Sequence, residues 1–208
     1  MVKPLSIGIT GVMGTGKSTL GVKLSRELGL TYHVEPFELN PWIVHSLTTP
    51  EPSESNFDCQ AVAITLGWQN VYKVSRLGGM VDAPFMGESV FTPTMYQLGQ
   101  LNDAQYESLL LIADNLPKVR LDVLICLKAA VSTMLYRIAC RGRSFESEVS
   151  TEYLHALKTA YDHWVEYAAY KMATDTLVIN TDELEAEEVL ESSLKWLAIT
   201  GQPAMIRV

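Results

Sequence analysis

Gly11-Val12-Met13-Gly14-Thr15-Gly16-Lys17-Ser18-Thr19 decides the fold, because it carries the spacing G-x-x-x-x-G-K-[ST] between an apolar run and a helix-like segment. Glycines in such a loop let successive backbone N–H groups converge on phosphate oxygens. Lys17 adds a mobile positive charge, and the Ser18 hydroxyl can ligate Mg²⁺. A helix starting behind the loop adds a favourable dipole. The flanks have the order this reading requires: residues 5–10 read as a buried strand, and Leu20, Leu24 and Leu28 fall on one helical face. A Gly-rich turn with a chance lysine would explain neither flank. Gly11, Gly14, Thr15, Gly16, Lys17, Ser18 and Thr19 are therefore expected to hold a triphosphate.

The rest of the composition narrows what surrounds such a loop. With 208 residues the chain suits one domain, 1–208, with a substantial core. Its 16 basic and 24 acidic residues give a formal charge of −8, which speaks against a nucleic-acid polymer or an anionic membrane as the main partner. Any anion site must then be local. Cys59, Cys126 and Cys140 are widely spaced and form no C-x-x-C pair, so neither a disulfide framework nor a zinc site is indicated, and a reducing cytoplasm is expected. The first residues lack the pattern of a secretory signal, and no apolar run reaches transmembrane length.

Strands and helices alternate along the chain. Strands are expected at 31–34, 80–82, 121–127 and 176–179, with prolines at 36 and 41 holding an extended or turning path and a surface loop over 48–56. Helices are expected at about 57–76, at 88–116 in two parts with Asn102 or Asp103 capping the second, at 131–140, after Ser150 or Thr151, and at 183–198. This alternation predicts an α/β fold: a parallel sheet flanked by helices on both faces, with ligands at the carboxyl ends of the strands.

Four groups of residues stand out beside the loop. Glu35 follows a strand and is placed to accept a proton from an attacking hydroxyl; alone it would read as a solvated turn residue. Asp82, also at a strand end, suits Mg²⁺ or its water shell as well as it suits a helix cap. Arg137, Arg141 and Arg143 lie within seven residues of an acidic chain, where convergence on phosphoryl oxygens outweighs an ordinary solvated basic face. Gln60 carries an amide that can read a nucleobase edge with a donor and an acceptor together. From residue 30 to 117 the only lysine or arginine residues are Lys73 and Arg76, which favours a neutral hydroxyl acceptor over a monophosphate.

In order along most of the chain, these motifs resemble the deoxynucleoside kinase family. His33-Val34-Glu35-Pro36 followed by Asn40-Pro41-Trp42 is similar to its glutamate-proline segment, and the helix with Phe57 and Gln60 to the one that contacts the base. The run from Arg137 to Glu146 resembles its arginine lid, about 141–149, and Leu177 to Asp182 its last strand and adenine-side loop. The resemblance implies a P-loop NTPase fold, ATP as phosphoryl donor, Mg²⁺, and a deoxynucleoside 5′-hydroxyl as acceptor, in a homodimer. It assigns Glu35 as base, Glu146 to the sugar 3′-hydroxyl, Asp82 with Ser18 to Mg²⁺, Asp182 to the donor nucleotide, and the three arginines to the phosphates.

The departures are equally specific. Asp82-Ala83-Pro84 stands where the family has an acidic residue, arginine and serine, so the arginine that steadies the 5′-oxygen is missing. Paired tyrosines are replaced around Ser46-Leu47, and Gly67 stands at a base-selecting position. Arg76, as the sole arginine of the acceptor half, is the expected substitute. A nucleoside monophosphate kinase and a nucleotide-binding protein without transferase activity are the competing readings.

Overall fold

The computed structural model describes residues 5–35, 39–48, 52–142 and 149–200. Five strands, β1 (Ser6–Thr10), β2 (Tyr32–His33), β3 (Gly79–Asp82), β4 (Leu121–Lys128) and β5 (Ala173–Asn180), form one parallel sheet in the order β2-β3-β1-β4-β5. Parallel neighbours need long crossovers. Helices carry them, α1 (Lys17–Leu28), α2 (Ile43–Thr48), α3 (Glu54–Leu77), α4 (Thr92–Gln97), α5 (Asp103–Asn115), α6 (Val131–Arg141) and α7 (Thr151–Tyr167), and α8 (Ala186–Ile199) follows the last strand.

Side chains alternate across the sheet, so each face builds its own core. On one face Leu20, Leu24 and Leu28 of α1 and Val189 and Leu197 of α8 pack on Ile7, Ile9, Val123 and Ile125. On the other, Val71 and Val74 of α3 and Leu154, Leu157, Tyr161 and Trp164 of α7 pack on Val81, Leu121, Leu124 and Cys126. Burial on both faces is why β4 reads as an almost continuous apolar run. A third cluster, Ile64, Met95, Leu101 and Leu109, joins α3 to α4 and α5.

The expected P-loop NTPase architecture is present, with differences at element ends. Ser53 caps α3 by accepting from Asn56 N at 3.1 Å, so the helix starts earlier than the apolar spacing indicates. A five-residue π-helical segment, Gly87–Phe91, runs into α4. Asn102 makes a full capping box with Gln105 at the start of α5, and Ser150 caps α7. β5 begins three residues before the expected strand because its polar Thr174 and Asp175 hide the pattern, and α2 occupies a stretch between prolines for which no element was expected.

Candidate active site

At the carboxyl end of β1 the chain turns sharply into α1. Gly14 has φ 83°, and a Cβ there would lie 2.8 Å from Met134 Cα and O, so both its backbone and its surroundings require glycine. Thr15 closes the turn, its hydroxyl donating to Val12 O at 2.7 Å and its N–H to the same oxygen at 3.3 Å. Lys17 Nζ rests 3.3 Å from Val12 O. Gly16 stands at the N-cap of α1 with no side-chain cap, leaving first-turn N–H groups to bind an anion.

Two cavities meet this loop. The first is lined by Gly14, Thr15, Gly16, Thr19, Arg137 and Arg141. Arg137 reaches across it: Nη1 donates to Thr181 Oγ1 at 2.9 Å and to Gly14 O at 3.4 Å, and Nη2 donates to Thr181 O at 2.7 Å. Thr181 in turn donates to Thr15 O at 3.2 Å. Thr181 was not expected in the site; a threonine at a strand end carries no sequence signal of such a role. Arg143 and Glu146 lie outside the described residues.

Asp182, expected to contact the donor nucleotide, lies at the start of α6. It is not among the residues lining the donor cavity, and its carboxylate accepts from Ala130 N at 2.7 Å, completing the start of α6. That backbone hydrogen bond, with lesser help from Thr133, Asn180 and Arg137, holds its carboxyl below the ordinary 3.8. A depressed carboxyl contributes stability above its unfolded pKa and loses it as pH falls through the folded one. Asp182→Asn is thus expected to be less stable than the parent at about pH 7, with the gap closing below about pH 4. Urea denaturation at both pH values checks this, and an equal gap at both would contradict it.

The second cavity is lined by Glu35, Gln60, Glu88, Tyr153, Lys17 and Asp82, among others. Asp82 reaches it because β3 pairs in parallel with β1, Ile9 opposite Asp82, which sets the carboxylate beside the loop. Ser18 Oγ donates to Asp82 Oδ2 at 3.4 Å, while Asp82 Oδ1 is buried without a hydrogen-bond partner among the described residues. A hydroxyl and a carboxylate with an unused oxygen suit Mg²⁺, which commonly takes few protein ligands beside substrate phosphates. Gln60 is buried and accepts from Thr92 Oγ1 at 3.3 Å.

Arg76 is not brought to this cavity. α3 runs antiparallel to the strands, and at 1.5 Å per residue Arg76 lies about 24 Å along it from Gln60. It is exposed in the last turn, its guanidinium 6.0 Å from the Tyr72 ring. The expected substitute for the missing arginine is therefore remote. Ala83 itself is buried and left-handed at φ 49°, and Phe85 likewise at φ 65°. Gly67 lines the cavity with open space where a side chain would stand.

Two residues of this region escaped the sequence reading as functional. Glu88 entered only as a helix start, yet it lines the acceptor-side cavity, where burial pushes its carboxyl up. Tyr32 points its hydroxyl toward Ser18 and Asp82; burial and the Asp82 charge push its pKa far up and keep the phenol protonated. The available signal was Gly21, a costly residue inside α1 that makes room for the Tyr32 ring.

Known proteins share this arrangement of elements. A deoxyadenosine kinase from Dictyostelium discoideum is 29% identical over 164 residues, covering 77% of this chain and 66% of that protein. One from Lactobacillus acidophilus is 30% identical over 195 residues, 86% of each. The structure of deoxyadenosine kinase from M. mycoides with bound dATP superposes with a TM-score of 0.82 at 23% identity, covering 93% of this chain and 99% of that one, a likeness of fold. Among the described residues no helix is long and apolar enough to cross a membrane. The family profile described as deoxynucleoside kinase matches residues 7–196, and the chain belongs to that family.

Proposed function

We propose that the chain transfers the γ-phosphoryl group of ATP to the 5′-hydroxyl of a deoxynucleoside, using Mg²⁺, as a cytoplasmic homodimer. One domain, 1–208, carries both halves of the site, with the lid at about 141–149. The observation that carries this reading is one cavity lined by Glu35, Gln60, Lys17 and Asp82: a proton acceptor and a base-reading amide open onto the phosphate loop. Relatives in the family are named as deoxyadenosine and deoxyguanosine kinases.

In this reading the first-turn N–H groups of α1 and Lys17 hold the donor phosphates, Lys17 exchanging Val12 O for a phosphate oxygen. Gln60 binds the base edge, and Glu88, whose carboxyl burial pushes up, stands in the same cavity as a second hydrogen-bonding group. Glu35 takes the 5′-hydroxyl proton as the new O–P bond forms and the bond to the departing ADP breaks. Arg137, Arg141 and Arg143 stabilise the charge spread over the transferred group, and Glu146 holds the sugar 3′-hydroxyl. Ser18 and Asp82 would hold Mg²⁺, which would supply neutralisation of phosphate charge.

The test is a panel of ATP, Mg²⁺ and each deoxynucleoside or deoxynucleoside monophosphate in turn. A monophosphate is expected from at least one deoxynucleoside. Products from monophosphates alone would replace the proposal with a monophosphate kinase. ATP-dependent thermal protection without any product would replace it with a nucleotide-binding protein, the reading that Ala83 favours.

A further inference from the structure

Tyr32 packs its ring on Gly21 of α1: a Cβ at Gly21 would lie 2.1 Å from Tyr32 Cζ and 2.4 Å from its hydroxyl oxygen. The register explains where that hydroxyl goes. Tyr32 on β2 pairs with Met80 on β3, and Asp82 lies two residues farther along β3, on the same face. A long side chain spans such a diagonal. The hydroxyl consequently meets both members of the Ser18–Asp82 pair, close enough for each to influence its ionisation.

Yet, among the described residues, Tyr32 Oη and Asp82 Oδ1 are both buried with no hydrogen-bond partner of proper geometry. A phenol donor and a carboxylate with a spare oxygen thus lie within interaction range at the loop. If Tyr32 served only to fill space, phenylalanine would provide the same ring without the cost of a buried, unpaired hydroxyl. The hydroxyl therefore requires another explanation.

We propose that Tyr32 is a positioning residue for Asp82: when Mg²⁺ and ATP occupy the site, its O–H donates to Asp82 and fixes the direction in which the carboxylate faces the metal. This rests on the phosphotransferase reading for its biological setting, but not for its test, which reads binding. Tyr32 contacts neither the nucleoside nor the transferred group. It acts through Asp82.

The experiment compares the parent and Tyr32→Phe by thermal unfolding, with ATP in EDTA and with ATP across a Mg²⁺ titration. Without nucleotide, Tyr32→Phe is expected to melt at or above the parent temperature, since only an unpaired buried hydroxyl is removed. Stabilisation by ATP in EDTA is expected to stay the same. The Mg²⁺ concentration giving half of the additional stabilisation is expected to rise about tenfold, the size of one hydrogen bond to a charged group. In an Asp82→Asn background, Tyr32→Phe should add no further shift.

Gly21→Ala supplies a second variant should Tyr32→Phe fold poorly. It improves helix propensity while forcing the phenol end aside, and it should reproduce the Mg²⁺ shift with the hydroxyl still present. An unchanged Mg²⁺ midpoint in a folded Tyr32→Phe overturns the proposal, as does an equal loss of stabilisation in EDTA and in Mg²⁺. A parent protein that phosphorylates no nucleoside but shows the Mg²⁺ shift would overturn the functional reading and leave the role of Tyr32 standing.

Discussion

Glu35→Gln is expected to lower kcat for deoxynucleoside phosphorylation by about 10²–10⁴-fold, the range a positioned general base supplies. The amide keeps the size of the side chain and most of its hydrogen-bonding capacity but cannot take the 5′-hydroxyl proton. KM for the nucleoside should therefore move little, because Gln60 and the walls of the cavity still hold the base. Initial rates over a range of nucleoside concentrations separate the two parameters. A rise in KM with kcat unchanged would assign Glu35 to binding and leave the proton to another acceptor.

Lys17→Ala is expected to lower kcat/KM for ATP by about 10²–10³-fold, comparable with removing a preorganised donor from developing charge. The structure separates this loss from unfolding. The Lys17 ammonium touches the protein chiefly through Val12 O at 3.3 Å, and α1 is held by Leu20, Leu24 and Leu28 on the opposite side of the loop. Stability should consequently stay within about 0.5 kcal/mol, as for substitutions away from the core. Urea denaturation and ATP titration on the same preparation check both parts. A variant that binds and turns over ATP normally would remove Lys17 from the site.

Much of this was legible because local chemistry and tertiary packing ask for the same residues. The phosphate loop needs its glycines and β4 is buried on both faces; Asn102 and Ser150 cap helices at positions where such residues are used. Glu35, Gln60, Ser18 and Asp82 converge because strand ends converge in a parallel sheet, which the alternation of elements already implied. Other features depend on direction in space. Arg76 looked close to Gln60 in sequence, but a 24-residue helix carries it away from the carboxyl ends of the strands. Asp182 has a duty that no spacing announces, its carboxylate accepting from the backbone N–H at the start of α6. Tyr32 lies within the strand expected at 31–34; only the register across β3 shows what its hydroxyl meets.

The phosphate loop also has a place in time. It is synthesised well before Arg137 and Thr181, which clasp Gly14 and Thr15 from 123 and 166 positions later in the chain. Its strand waits as well, since Ser6 is tied to Asp122, 116 positions downstream. Contacts at such separation close late in folding. A nascent chain therefore carries the complete signature long before it owns a working cradle, and this early segment is locked only when those later residues arrive.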